Sequence, residues 1–262
     1  MSDTYTLHHG RLPLLISLPH DGTEVPDEVA GRFTPIAAML PDTDWHIGRL
    51  YAFAREMGVS MLRPRFSRYV IDLNRPTDGT LLYPGRTESA LCPLQTFEGL
   101  PIYRVGEEPG TDEIAERIER YWRPYHEALD GEISRLRHQH SRVVLWEAHS
   151  IKGVLPRLFE DQLPDFNIGT ADGDSCTRAL EDSLRKVLGA QRDYSYVVNG
   201  RFKGGHITRH YGRPGAGSEA VQLELRQGTY MDEVTFEYDE ARARRVQAVI
   251  RELIEAALAH VE

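Results

Sequence analysis

Two histidines follow directly on apolar runs. Leu14–Leu18 leads into Pro19-His20-Asp21-Gly22-Thr23-Glu24, and Val143–Trp146 leads into Glu147-Ala148-His149-Ser150. An imidazole delivered by a strand into a turn, with carboxylates close by, suits metal binding or acid–base work. Two histidines and a carboxylate make a common catalytic zinc set, which leaves one coordination position for water. The carboxylates within reach are Glu24, just past His20, and Asp42 and Asp44 in "PDTDWH". Asp44 would serve equally as the N-cap of a helix beginning there. A third run, Ala220–Leu225, alternates Val221, Leu223 and Leu225 with Gln222, Glu224 and, beyond it, Arg226. A mid-strand Glu that is buried needs a partner; on a solvent face Glu224 would simply pair with Arg226.

Two further segments carry groups suited to anions. In "SRYVIDLNRP", from Ser67 to Pro76, the side chains of Tyr69, Val70, Ile71 and Leu73 suit a buried strand. Pro76 ends it, so Asn74 and Arg75 are expected at the rim of a sheet, where open α/β sheets bind ligands. The plain alternative is a surface ion pair. The stretch "GRFKGGHITRHYGRPG" sets Lys203, His206, Arg209, His210 and Arg213 among five glycines. Such a loop allows close approach of an anionic ligand, or is merely solvated.

The elements that must position these groups read as strands alternating with helices. Strands are expected at Leu14–Leu18, Ser60–Leu62, Tyr69–Leu73, Val143–Trp146, Tyr196–Val198 and Ala220–Leu225, and helices at Asp44–Met57, Asp112–Leu136, Ser175–Leu188 and Asp239–His260. Pro124 is expected to kink the second helix. This alternation implies an α/β protein with three layers, α/β/α, around a mixed, mainly parallel sheet. The Pro- and Gly-rich piece from Pro76 to Gly110 reads as a long functional excursion within one domain, residues 1–262.

Composition narrows the function. The chain is 40% hydrophobic and 27% charged, as an ordinary globular protein is, and its formal net charge of −9 argues against nucleic-acid binding. Two cysteines form no disulfide framework and no metal-binding pair. The N-terminal residues lack the regions of a signal peptide, and nothing is apolar enough to span a membrane, so the cytoplasm is expected. Gly173-Asp174-Ser175 offers a serine nucleophile, although Asp174 and Ser175 more simply cap the following helix.

Taken in order, "DLNRP", "EAHS" and "LELRQG" resemble metallocarboxypeptidase-like enzymes, and "RYVIDLNR" resembles the corresponding segment of aspartoacylases. Between Leu14 and Asp232 the chain is most similar to the N-formylglutamate amidohydrolase family. The similarity is carried by "LLISLPHDGTEVP", "DTDWHIGRLY", "FSRYVIDLNRP", "WEAHSIKG", "FNIGTADG", "FKGGHITRHYGRP" and "QLELRQGTYMDE". The resemblance implies a zinc-peptidase-like fold, Zn2+ as cofactor and hydrolysis of N-formyl-L-glutamate to formate and glutamate in bacterial histidine breakdown. It implies His20, Asp44 and His149 as metal ligands. Glu24 is the alternative to Asp44, although it lies four positions after His20 where carboxypeptidases have three. It implies Glu224 as general base, Arg68 at the oxyanion, and Asn74 and Arg75 on the α-carboxylate. The side-chain carboxylate falls to Arg209, with Arg213 or Lys203 next in line, and His206 is given no metal role. The expected partner is a small dicarboxylate, with no nucleic acid or membrane, for a monomer or small homo-oligomer. The rival readings are a zinc hydrolase of another N-acyl amino acid or small peptide, and a non-catalytic binder of acidic metabolites.

Overall fold

Unbroken runs of branched aliphatic residues suit strands covered on both faces, and such runs form the centre of the sheet. The computed structural model describes residues 4–82, 85 and 87–261. Its strands are β1 (Tyr5–His8), β2 (Leu14–Ser17), β3 (Ser60–Pro64), β4 (Val143–Ile151), β5 (Phe166–Gly169), β6 (Tyr196–Val198) and β7 (Ser218–Arg226). They join in the order β1-β3-β2-β4-β7-β5-β6. β3, β2, β4 and β7 run parallel, as do β5 and β6, while β1 on β3 and β5 on β7 are antiparallel. The sheet is thus mixed and mainly parallel, as expected.

The helices are α1 (Asp27–Ala30), α2 (Ile47–Leu50), α3 (Phe53–Glu56), α4 (Thr111–Arg117), α5 (Arg123–Arg137), α6 (Arg178–Ala190), α7 (His206–Tyr211) and α8 (Glu240–Val261). Strand alternation divides the core in two. Leu14, Ile16, Trp146, Val221 and Leu223 pack with α2, α3, α6 and α8. Leu15, Leu145 and Ala220 pack with Tyr125, Leu129 and Ile133 of α5 and Ile207 of α7. On this second face the strands turn polar towards their C-terminal ends: Ser17, Glu147, His149, Gln222 and Glu224 follow the apolar positions, all of them buried.

The expected strand at Tyr69–Leu73 is not one. Tyr69, Val70, Ile71 and Leu73 are buried as anticipated, but the backbone turns repeatedly. Val70 N donates to Ser67 O and Tyr69 N to Ser67 Oγ, while Asn74 N donates to Asp72 Oδ1. Short polar side chains that bond the local backbone compete with a sheet ladder, and here they win. Asp44–Met57 is likewise broken into α2 and α3, with His46, not Asp44, at the N-cap of α2. In Asp112–Leu136 the disturbance at Pro124 is a π-turn, Ile118–Trp122, between α4 and α5. Proline cannot bond the carbonyl four residues back, and the wider turn accommodates its ring. α6 starts at Arg178, capped by Thr177 rather than Asp174 or Ser175.

Candidate active site

β2 and β4 are adjacent and parallel, so the turn that follows β2 brings His20 beside the end of β4, where His149 stands. Their ring centroids are 4.8 Å apart. Asp44 arrives from the turn ahead of α2, its N–H donating to His20 O. Its Oδ2 accepts from Ser150 N at 3.0 Å and lies 3.2 Å from His149 Nδ1 and 3.9 Å from His20 Nδ1. Tyr230 braces both sides of this contact, its hydroxyl donating to Trp45 O and hydrogen-bonded to the Ser150 hydroxyl. One donor atom from each of His20, Asp44 and His149 lies within 4.8 Å of the others, and all three residues are buried.

The two other carboxylates weighed above are engaged elsewhere. Glu24 forms a forked, exposed pair with Arg65 at 3.0 and 2.9 Å. Asp42 accepts from Tyr69 Oη and Phe97 N. Ser175 Oγ donates to Ala220 O inside the protein, which ties the one serine considered as a nucleophile into the fold.

Asp72, which sequence reasoning passed over, organises the first histidine. Its Oδ1 accepts from His20 Nε2 at 2.8 Å and its Oδ2 from Arg68 Nη2 at 2.6 Å. Burial alone would raise the Asp72 carboxyl, but Arg68, His20 and Arg75 outweigh it and hold it well below the usual range. Burial, then Arg68, push His20 down to about 4 against the pull of Asp72. The imidazole is therefore neutral, with Nε2–H on Asp72 and the Nδ1 lone pair turned towards Asp44, the tautomer that a metal ligand requires. A buried pair of histidines with one carboxylate fits a divalent zinc-type ion.

Glu224 stands opposite His149 in the β4–β7 register. Burial, then Asp44, push its carboxyl well above the usual range, while Arg68, Arg201 and Arg75 pull it down. Arg68 is buried, paired with Asp72, and lies 4.7 Å over the Phe97 ring. These groups line one cavity of about 370 Å³ together with Arg75, Arg157 and Arg201. Arg75 donates to Ser89 O and Asn74 O. Asn74 also lines the cavity, but its amide is engaged: Nδ2 is 3.1 Å from His149 Nε2 and Oδ1 accepts from Ile207 N. Glycine is required at 205, where a side chain would collide with that amide.

Arg209, Arg213 and Lys203 do not figure among the described residues lining the cavity. Arg209 is exposed on α7 with its Nε on Gly204 O, Arg213 donates to His210 O, and Lys203 pairs with Asp172. Among the described residues the metal-donor group is His20, Asp44 and His149, and His206 is not in it.

Comparison with known proteins gives a consistent result. The family model described as N-formylglutamate amidohydrolase matches residues 12–231. A Pseudomonas putida protein named N-formylglutamate deformylase is 49% identical over 260 residues, covering 99% of this chain and 97% of its own length. A namesake from Pseudomonas aeruginosa is 48% identical with the same coverage. The crystal structure of an N-formylglutamate amidohydrolase from Ralstonia eutropha JMP134 superposes with a TM-score of 0.82 at 26% identity, over 98% of this chain and 97% of that one. A gene product from Agrobacterium tumefaciens shares the fold at a TM-score of 0.74 and 18% identity, over 98% of this chain and 96% of that one.

Proposed function

The chain belongs to the N-formylglutamate amidohydrolase family, and from that premise we propose that it hydrolyses N-formyl-L-glutamate to formate and L-glutamate with Zn2+ held by His20, Asp44 and His149. The observation that carries this reading is the buried convergence of those three donors beside Glu224, in a cavity lined by arginines. When bound there, the ion supplies Lewis-acid chemistry, activating water and polarising the formyl oxygen.

The chain's own residues do the rest. Glu224 takes a proton from the attacking water and returns it to the amide nitrogen as the C–N bond breaks. An amine leaves poorly unless protonated, so both transfers count. A carboxyl raised by burial is closer to neutrality and suits a group that must both accept and return a proton. Arg68, immobilised between Asp72 and Phe97, stabilises the negative charge that develops on the formyl oxygen. Arg75 rests on two neutral carbonyls and keeps its charge for the substrate's α-carboxylate. Asn74 shares that wall and steadies His149.

The same reading takes residues 1–262 as one domain working in the cytoplasm; among the described residues no helix is long and apolar enough to cross a membrane. The test joins elemental analysis of the purified protein to an assay for released formate. The expected result is formate from N-formyl-L-glutamate, about one metal ion per chain, and activity lost to a chelator and restored by Zn2+. Undiminished turnover in the demetallated protein would end the metal assignment. Acetate from N-acetyl-L-glutamate without formate from the formyl compound would move the acyl specificity.

A further inference from the structure

We propose that Arg201 reads the side-chain carboxylate of the substrate and so sets the preference for an acidic over a neutral N-formyl amino acid. The proposal rests on the hydrolytic reading above and concerns the second charge of its substrate. Among the described residues four arginines line the cavity: Arg68, Arg75, Arg157 and Arg201. Arg68 is buried against Asp72 beside the metal donors, and Arg75 is already assigned to the α-carboxylate. Arg157 is exposed, donating to Thr96 O and Gln95 Oε1.

Arg201 differs from Arg157 in how it is held. It is half-buried, its Nε donating to Leu158 O at 2.8 Å and its Nη2 to Thr87 O at 3.0 Å. These carbonyls come from separate loops, so together they fix the plane of the guanidinium. Both acceptors are backbone carbonyls. The guanidinium carbon lies 5.3 Å from the Phe202 ring centroid, which adds a further constraint. A rigid planar fork of this kind is suited to a carboxylate.

The local chain explains how Arg201 gets there. After β6 the backbone enters the left-handed region at Asn199, whose side chain accepts from Thr170 N. That turn carries residues 200–205 back to the cavity, where Arg201, Phe202 and Gly205 line it. α7 begins only at His206 and carries Arg209 on its exposed side. The glycine-rich, cationic stretch thus serves the site through its first arginine. The field of Arg201 also reaches the reaction centre, where with Arg68 and Arg75 it pulls the Glu224 carboxyl down against burial.

The test compares kcat/KM for N-formyl-L-glutamate and N-formyl-L-glutamine in the wild type and in Arg201→Gln, Arg201→Lys, Arg157→Gln and Arg209→Gln. The ratio of the two values in one preparation does not depend on the fraction of folded enzyme, so poor folding cannot mimic the effect. Removing a charge-assisted contact should lower the glutamate-to-glutamine ratio by about 30-fold or more in Arg201→Gln. Arg201→Lys keeps the charge without the fork and should lower it less. Arg209→Gln should keep the wild-type ratio. A ratio preserved in Arg201→Gln, or collapsing instead in Arg157→Gln or Arg209→Gln, overturns the proposal. A wild type that releases formate from neither compound removes the hydrolytic reading itself, an outcome distinct from a preserved ratio.

Discussion

The two halves of the cavity are built differently. One half is borne by the ends of regular strands: His20 just past β2, His149 on β4 and Glu224 on β7, with His149 and Glu224 in register. The other half is borne by irregular backbone, Arg68 and Arg75 in the 67–76 segment and Arg201 in the loop after β6. In the first, ladder hydrogen bonds set the directions of His149 and Glu224, and His20 is turned by its bond to Asp72. In the second, direction comes from side chains bonding the backbone. Trp122 donates to Arg75 O and His126 to Leu73 O, while Asn74 Oδ1 accepts from Ile207 N. On the reading proposed above, proton transfer and metal binding tolerate little displacement: Glu224 and His149 stand on the sheet and His20 and Asp44 in turns directly beside it, whereas the arginines for substrate charge stand on braced loops.

The largest effect should come from the sheet half, and it separates two of its members. Glu224→Gln should lower kcat by about 10²-fold or more while metal content stays near wild type, because only the proton acceptor is lost. His149→Ala should instead lose the metal. Elemental analysis beside formate release checks both. Near-normal turnover in Glu224→Gln would remove it from the mechanism and leave the strand half with metal binding alone.

This division matches what could be read in the chain. His149 and Glu224 follow from period-two alternation behind apolar runs, and His20 from a strand running into a turn. The mainly parallel sheet follows from the same runs. In the loop half Asn74 and Arg75 were legible as residues, but their backbone was not, because the apolar residues around them have strand composition. Tyr69, Val70, Ile71 and Leu73 are buried side chains on a turning backbone, and composition does not distinguish that from a ladder. Asp72 was missed for the same reason: only the turns bring it to His20 and Arg68 at once. Choosing among the cations of residues 200–215 required knowing where α7 begins. β1 and β5, four residues each, owe their place to pairing with β3 and β7 more than to any local pattern.

Asp72 is where the halves meet, and Asp72→Asn tests whether one can be loosened through the other. The variant keeps an oxygen that can accept from His20 Nε2 but loses the charge that holds Arg68. Residues behind a metal ligand are worth roughly 10–100-fold in affinity, so chelator competition should show weakening of that order, with turnover falling as well. Glu24→Gln, on the exposed pair with Arg65, should leave affinity unchanged. If Asp72→Asn binds metal as the wild type does, the loop half acts on substrate alone.

A smaller effect is expected at Trp122, whose indole N–H reaches Arg75 O at 2.9 Å while its ring stacks on His126 at 3.6 Å between centroids. Trp122→Phe keeps much of the stacking and removes the hydrogen bond. One such bond is worth about 1 kcal/mol, so KM should rise severalfold with kcat little changed. A fall in kcat with KM unmoved would mean that the 73–75 segment orients the reacting group, and would bring the two halves closer in role than their construction suggests.

The last and smallest effect at neutral pH concerns His126, which braces the loop half as a neutral group. Burial is the main reason that its pKa is pushed down to about 3, although the Leu73 carbonyl that accepts from Nε2 pulls the other way. An unfolded chain titrates this histidine near 6.5. Below that pH the unfolded state takes up a proton that the folded state refuses, so stability falls as pH drops from about 6.5 towards 3, by about 1.4 kcal/mol per pH unit from this one group. Above 6.5 the contribution is complete and flat. His20 and His206 are depressed as well, so part of the slope should survive in any single variant. Denaturant unfolding in the presence of a chelator, at intervals from pH 7.5 to 4.5, should give a slope shallower by about one proton in His126→Gln than in the wild type. An unchanged slope would mean that His126 is already charged in the folded protein. Its Nδ1 would then be a donor facing the Tyr211 hydroxyl, and the brace on Leu73 would be made by a cation within the loop half rather than by a neutral ring.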